Sequence, residues 1–163
     1  MDTDDWLRVL LIGAGATAAT DVWALLRKRL LGVAPPNYAM VGRWIAHLAC
    51  GHARHDAIAK AARVTGELAI GWIAHYAIGI AFAGVLPAMF GIHWLRQPTL
   101  IPALLVGVGT VLAPFLVIQP AMGAGLAASR TPRPNSARLQ SLVNHAVFGS
   151  GLFVTATLLA TGD

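Results

Sequence analysis

Four apolar stretches of this 163-residue chain each contain a polar side chain that is costly to place in hydrocarbon. These side chains are Asp21, His75, Gln119 and His145, and Asn144 lies beside the last of them. A carboxylate and two imidazoles are able to exchange protons with a solute or to coordinate a cation. Since ionisable groups inside membrane segments are rare and mostly functional, we expect these residues to form a ligand or proton site.

Counting residues along each predicted helix places the four side chains at similar depths. At about 1.5 Å per residue, Asp21, His75 and His145 lie roughly 9–12 Å from the inner boundary, and Gln119 lies at roughly 16 Å. If the helices form one bundle, these groups converge on one cavity. Each side chain also has a purely structural interpretation. For the histidines it is a hydrogen bond to a neighbouring helix, for Gln119 it is helix packing, and for Asp21 it is an ion pair with Lys28 or Arg29 at the interface.

Both histidines lie on helix faces that carry small residues one turn away. These residues are Gly71 and Gly79 around His75, and Ser141 and Gly149 around His145. Residues four apart share a helix face, so each face admits a neighbouring helix or a flat ligand. Two cofactors follow as alternatives: a b-type haem bound axially by both histidines, or a divalent metal bound by His75, His145 and Asp21.

Four predicted membrane helices carry these groups, with bounds near 6–26, 68–90, 100–126 and 139–160. Each has about the 20 residues needed to cross a bilayer, and backbone groups in lipid must be bonded within the segment. With 56% hydrophobic and 12% charged residues, the composition is typical of an all-α polytopic membrane protein. We expect one integral-membrane domain over residues 1–163.

The long loop between the first two spans, near residues 32–66, contains a predicted interfacial helix. Two prolines end the preceding helix, Asn37 is suited to cap the next one, and an apolar stripe runs from Tyr38 to Leu48. This pattern predicts an amphipathic helix in the membrane interface, with a short further helix over 55–63. The loop is either a lid over the inner mouth of the bundle or a linker. A possible loop site consists of three polar residues: Arg43, His55 and Glu67.

The same loop also contains a run of side chains that bind metals in other proteins. They are His47, Cys50, His52, His55 and Asp56. Zinc sites use cysteine and histidine at short spacings, but a single cysteine and irregular spacing make this only a weak match. The phosphate-binding loop and the GxSxG and HExxH motifs are absent from the sequence, so it predicts no particular reaction.

The charges are distributed unevenly between the two sides of the predicted bundle. Ten of the 12 Lys and Arg residues lie in the loops that follow the first and third spans. The other side carries the two remaining basic residues, Arg8 and Arg96, together with Asp2, Asp4, Asp5 and Asp163. This positive-inside pattern predicts that both termini face the periplasm or exterior and that both basic loops face the cytoplasm. Because topology accounts for the basic charge, we expect the bilayer as partner and no nucleic acid.

Six segments of the chain resemble a family of small four-helix bacterial inner-membrane proteins with no assigned function. They are GAGATAATDVW, NYAMVGRW, HDAI, GELAIGWIAHYAIGIAFA, QPAMGAGLAASRTP and HAVFG, and together they cover most of the chain. The resemblance implies four membrane helices and one domain, and it implies no activity. It also selects eight residues for testing: Asp21, Arg43, Trp44, His55, Glu67, His75, Gln119 and His145.

Four functions remain open from the residues alone. One of them, a membrane-embedded enzyme that acts on a lipid or quinone headgroup with His75 as base and Arg43 as anion binder, is not singled out by any spacing, and the other three are ranked here. The leading hypothesis is a site that binds or passes a small ion or polar solute. Since four helices are few to line a pathway through the membrane, this hypothesis also includes assembly into a homodimer or a larger membrane complex. The second hypothesis is a haem-binding or metal-binding redox protein. The third is an accessory structural subunit, whose polar groups only fix the register of its helices.

Overall fold

The computed structural model describes residues 1–161, and the regular elements in that range are all helical, as predicted. The α-helices are α1 Thr3–Leu31, α2 Tyr38–Ala49, α3 Glu67–Phe90, α4 Leu100–Gly109, α5 Gln119–Ala121 and α6 Pro134–Ala160. A π-helical segment, Pro114–Ile118, precedes α5, and short 3₁₀ turns lie in the connections. Asp163, which the charge argument assigned to the outer side, lies outside the described residues.

Four helical stretches are long and apolar enough to cross a membrane, which confirms the predicted number of spans. They are Thr3–Leu31, Glu67–Phe90, Leu100–Ala121 and Pro134–Ala160. The third ends at Ala121 rather than near residue 126, because Gly123 and Gly125 turn the backbone into positive φ. The fourth begins at Pro134 rather than near residue 139, since proline is well suited to a first helical position.

Helix α1 is longer than predicted because both of its ends are capped. Asp2 and Asp5 form a reciprocal capping box, in which each carboxylate accepts from the backbone N–H of the other residue. At the other end, Gly32 adopts φ +65°, and its N–H bonds carbonyls of the last helical turn. The helix therefore continues until a residue that is able to adopt the left-handed conformation ends it.

The amphipathic helix of the inner loop is confirmed as α2, and the Asn37 side chain caps it by accepting from the N–H of Met40. The helix predicted over 55–63 is wrong: only a 3₁₀ turn, Ile58–Lys60, forms there. Carbonyl oxygens in and beside this turn accept from the Arg43 guanidinium.

Internal contacts divide the chain into two compact units, each built from segments that are not consecutive. Unit 1 consists of Met1–Pro35, Tyr76–Thr110 and Val143–Asp163, and unit 2 consists of Pro36–His75 and Val111–Leu142. The expectation of a single domain stays a prediction.

The hydrophobic core of unit 1 is formed by side chains from α1, α3, α4, α6 and the loop after α3. Trp94 in that loop is only 2% exposed, and its indole N–H donates to the carbonyl of Thr99. A short loop folds Trp94 back under the helix ends, while Trp6 is exposed.

Candidate functional site

Asp21 lies in the second half of α1, where it accepts a hydrogen bond from a tyrosine of α3. The Tyr76 hydroxyl donates to Asp21 Oδ2 at 3.0 Å. One turn earlier on α1, Thr17 is 1% exposed and contacts Gly79 of α3 so closely that a Cβ there would collide with it. Gly79 thus allows α3 to pack closely against α1. This close packing brings the Tyr76 hydroxyl within hydrogen-bond distance of the Asp21 carboxylate. Sequence reasoning missed Tyr76, although a tyrosine in an apolar span needs a partner for its hydroxyl.

Arg27 lies near the inner end of α1 and is only 7% exposed. Its guanidinium donates to Asn144 Oδ1 of α6 at 2.9 Å. A buried cation requires such bonds, because it has lost its hydration shell. The sequence pattern indicated only that Arg27 lies at a membrane boundary. It predicted Asn144 as part of a ligand site. The structure bonds these two residues to each other, roughly 9 Å along α1 from Asp21.

His145 is held at one ring nitrogen by the end of α4. Its Nδ1 lies 3.2 Å from the carbonyl oxygen of Gly107 and 2.9 Å from the Thr110 hydroxyl, which itself donates to the same carbonyl at 2.6 Å. A carbonyl only accepts, so these contacts assign the proton of the neutral ring to Nδ1. Within residues 1–161, Nε2 has no hydrogen-bond partner, so its electron pair is available as a base or ligand.

His75 belongs to unit 2 and is covered by the first residue of α2. The Tyr38 hydroxyl lies 3.0 Å from His75 Nε2, and the two rings stack with centroids 4.3 Å apart. Gly71, one turn before His75, permits this approach, because a Cβ there would collide with the Tyr38 backbone. The face that the sequence predicted to be open is therefore occupied by α2.

Gln119 follows directly after the π-helical segment and contacts α6 only weakly. Its Nε2 lies 3.5 Å from the Ser141 hydroxyl, and its Oε1 is buried without a partner among residues 1–161. Segments of π-helix are frequent at functional sites, because the extra residue displaces one helix face. The predicted ligand role of Gln119 is therefore supported only by its buried Oε1, which accepts no hydrogen bond from the described residues.

Arg43 and Glu67, two residues of the possible loop site, form a paired contact between α2 and the start of α3. Arg43 is 5% exposed and donates to both carboxylate oxygens of Glu67, each at 2.8 Å. Hydrogen bonding to this carboxylate raises the pKa of the Arg43 guanidinium. Its remaining nitrogen donates to the carbonyls of Ile58, Ala59 and Ala61 at 3.1–3.4 Å. All three nitrogens are used within the protein, so Arg43 holds the loop instead of presenting a charge to a ligand.

His55, the third residue of the possible loop site, is paired with His47 of α2 and not with Arg43. His47 Nδ1 and His55 Nε2 are 2.8 Å apart. The backbone N–H of His55 also donates to the carbonyl of Ala121 at 2.8 Å. The loop site predicted from the sequence is therefore two separate pairs of residues.

The glycines beside the two histidines make room for the protein itself and not for a porphyrin. Gly71 lies against the backbone of α2, Gly79 against Thr17, and Gly149 against the backbone of α4. An added Cβ at any of them would overlap neighbouring atoms, so no flat ligand enters there. The residues present do not fit a b-type haem between these helix faces, and we assign none.

A metal site of the predicted composition also finds no support in the described chain. Within residues 1–161, the only group of three or more His, Cys, Asp or Glu ligand atoms lying within 4.8 Å of one another is Asp2, Asp4 and Asp5. Those carboxylates cap α1 and bond to Arg8 and Arg96. Coordination of a metal by Asp21, His75 and His145 stays a prediction.

Comparison with known proteins identifies the family but no activity. The sequence profile of DUF2938, a family described as proteins of unknown function, matches residues 10–159. The chain therefore belongs to this family, which confirms the resemblance to a family without an assigned function. No curated protein and no solved structure gives a significant match.

Proposed function

We propose that this DUF2938 member is an integral protein of the bacterial inner membrane that binds or passes a small ion or polar solute. Insertion is supported by the four apolar spans and by large apolar side chains on their outer faces. Leu30 is 76% exposed, Ile73 71% and Ile101 71%. In water, an exposed apolar surface of this extent would cause the protein to associate with other molecules. In a bilayer, the same surface is covered by lipid chains.

The charges of unit 1 support an orientation with the termini outside. Arg96, in the loop after α3, donates to Asp5 at 2.6 Å and to Asp4 at 2.9 Å, so this loop and the start of α1 lie at one end of the unit. The last turn of α1, at the other end, carries Lys28 and Arg29. Under the positive-inside rule the basic end faces the cytoplasm.

A group of polar contacts in unit 1 supports a site near that basic end. Asp21 bonds Tyr76, Arg27 bonds Asn144, and His145 is held by the end of α4. The unit's four helices each contribute to these contacts, which supply a carboxylate, a buried guanidinium and a neutral imidazole. Such groups are expensive inside a membrane and typically mark the path of an ion or proton.

The observation that carries the proposal is the state of His145. Its Nδ1 proton is directed at the Gly107 carbonyl, and its Nε2 has no partner among the described residues. The imidazole is therefore fixed in orientation and leaves one basic nitrogen for a proton or a cationic solute. We propose a homodimer as the functional form, and the ligand roles of His75 and Gln119 stay predictions.

Flux measurements in proteoliposomes test this function. The purified protein, reconstituted with an internal pH-sensitive dye, is given gradients of protons and of small monovalent cations. We expect Asp21→Asn and His145→Gln to abolish most of the flux, since each removes one group of the site. His93→Gln is the control, because it makes the same chemical change in an exposed turn outside the spans.

Two outcomes would count against the proposal. Equal flux from the wild-type protein and both variants would show that the polar groups do not participate. Absence of flux under every gradient, together with unchanged stability after double substitution of His75 and His145 by glutamine, would favour an accessory structural subunit.

A further inference from the structure

The inner loop contains a pair of imidazoles that the proposed function does not use. We propose that His47 and His55 bind a divalent transition-metal ion. His47 Nδ1 and His55 Nε2 are 2.8 Å apart, and the ring centroids are 4.9 Å apart with planes at 31°. Two facing nitrogens at this distance share one proton, which a metal ion replaces by accepting an electron pair from each ring.

The distance between the nitrogens is close to the one a metal requires. Neighbouring ligands at 2.0–2.1 Å from Zn²⁺ are about 2.9–3.4 Å apart, depending on the bond angle. The observed 2.8 Å therefore has to open by only a few tenths of an ångström, with a rotation of the rings that aims both electron pairs at the ion. Imidazole nitrogen suits Zn²⁺, Ni²⁺ and Cu²⁺, which defines the class of ion.

The backbone around the two histidines is anchored independently of any metal. The N–H of His52 donates to the carbonyl of His47 at 2.9 Å, which closes the turn after α2. On the far side, the N–H groups of His55 and Ile58 donate to the carbonyls of Ala121 and Met122 at 2.8 and 3.1 Å. Because the two rings are already close in this anchored loop, binding of an ion costs the protein little additional conformational entropy.

Burial decides which nitrogen of His55 is the ligand. Its Nδ1 is buried and has no partner among residues 1–161, so an ion arriving from water does not reach it. Nε2, which faces His47, is the atom left for coordination. The ligand atoms of Cys50 and His52, which are exposed in the turn between the two histidines, do not lie within 4.8 Å of both imidazole nitrogens, so water completes the coordination.

Titration of the full chain in detergent micelles tests this site. Zn²⁺ binding is measured by calorimetry, and Co²⁺ binding by its visible absorption, which reports the ligand geometry. We expect one ion per chain. His47→Gln and His55→Gln should each weaken binding by about tenfold or more, as expected for loss of one ligand, while His93→Gln should bind like the wild-type protein.

A second variant separates loss of a ligand from loss of the fold. His47→Cys keeps a metal ligand at the same position, so it should restore Zn²⁺ binding relative to His47→Gln. The proposal is overturned if Zn²⁺ binding is unaffected by both glutamine substitutions. It is also overturned if the cysteine variant binds no better than the glutamine variant.

Discussion

At the scale of single residues, two similar sequence patterns lead to different chemistry. His75 and His145 both have small residues one turn away on their helices, and the sequence treated them alike. His75 uses Nε2 for the Tyr38 hydroxyl, whereas His145 is held at Nδ1 and leaves Nε2 available. The neighbouring helix decides this difference, because it supplies a hydroxyl in one case and a backbone carbonyl in the other.

Arg43 bonds both Glu67 and three carbonyls of the loop between α2 and α3, so its replacement should loosen that loop. Arg43→Gln removes the bonds to Glu67 and to the three loop carbonyls, which leaves a partly buried carboxylate without its cation. We expect a lower unfolding temperature and several-fold faster proteolysis between residues 50 and 66. Limited digestion followed by mass spectrometry measures both the rate and the position of cleavage.

Arg54→Gln is the matched control for that experiment. Arg54 is exposed and has no side-chain bond within the described residues, so its loss should leave the cleavage rate unchanged. Equal protease resistance of both variants would show that Arg43 does not hold the loop.

At the scale of elements, glycines allow the helix backbones to approach each other directly. Gly107 of α4 lies against Gly149 of α6, and a Cβ on either residue would come too close to the other helix. Between membrane helices, packing of this kind replaces the hydrophobic driving force that water provides. These glycines also keep the Gly107 carbonyl within reach of His145.

Gly107→Ala should destabilise the protein by about 1–3 kcal/mol, as overpacking typically does. Gly109→Ala in the same helix is the control, since no atom lies within 4 Å of the added Cβ. Thermal or denaturant unfolding in detergent measures the difference. If both substitutions had the same effect, the cost would come from helix propensity and not from contact between α4 and α6.

At the scale of the whole molecule, the single cysteine reports the orientation in the membrane. Cys50 is exposed at the end of α2, in the loop that the charge pattern places in the cytoplasm. A membrane-impermeant maleimide should therefore label it only after the cells are permeabilised. Labelling in intact cells would reverse the proposed orientation.

A cysteine in the opposite loop completes that experiment. Gln97 is exposed between α3 and α4, so Gln97→Cys in a Cys50→Ser background should react in intact cells. Reaction of both positions on the same side would contradict a fold in which α3 crosses the membrane.

The sequence by itself determined the helical class, the four spans, α2 with its Asn37 cap, and the family. These properties are local: a long apolar run or a capping side chain acts within a few residues, and a helix bonds its own backbone. Only the tertiary structure decided which polar groups meet. Tyr76 reaches Asp21 across 55 positions, and Asn144 reaches Arg27 across 117. Such pairings depend on how helices rotate and pack against each other, which no local pattern specifies.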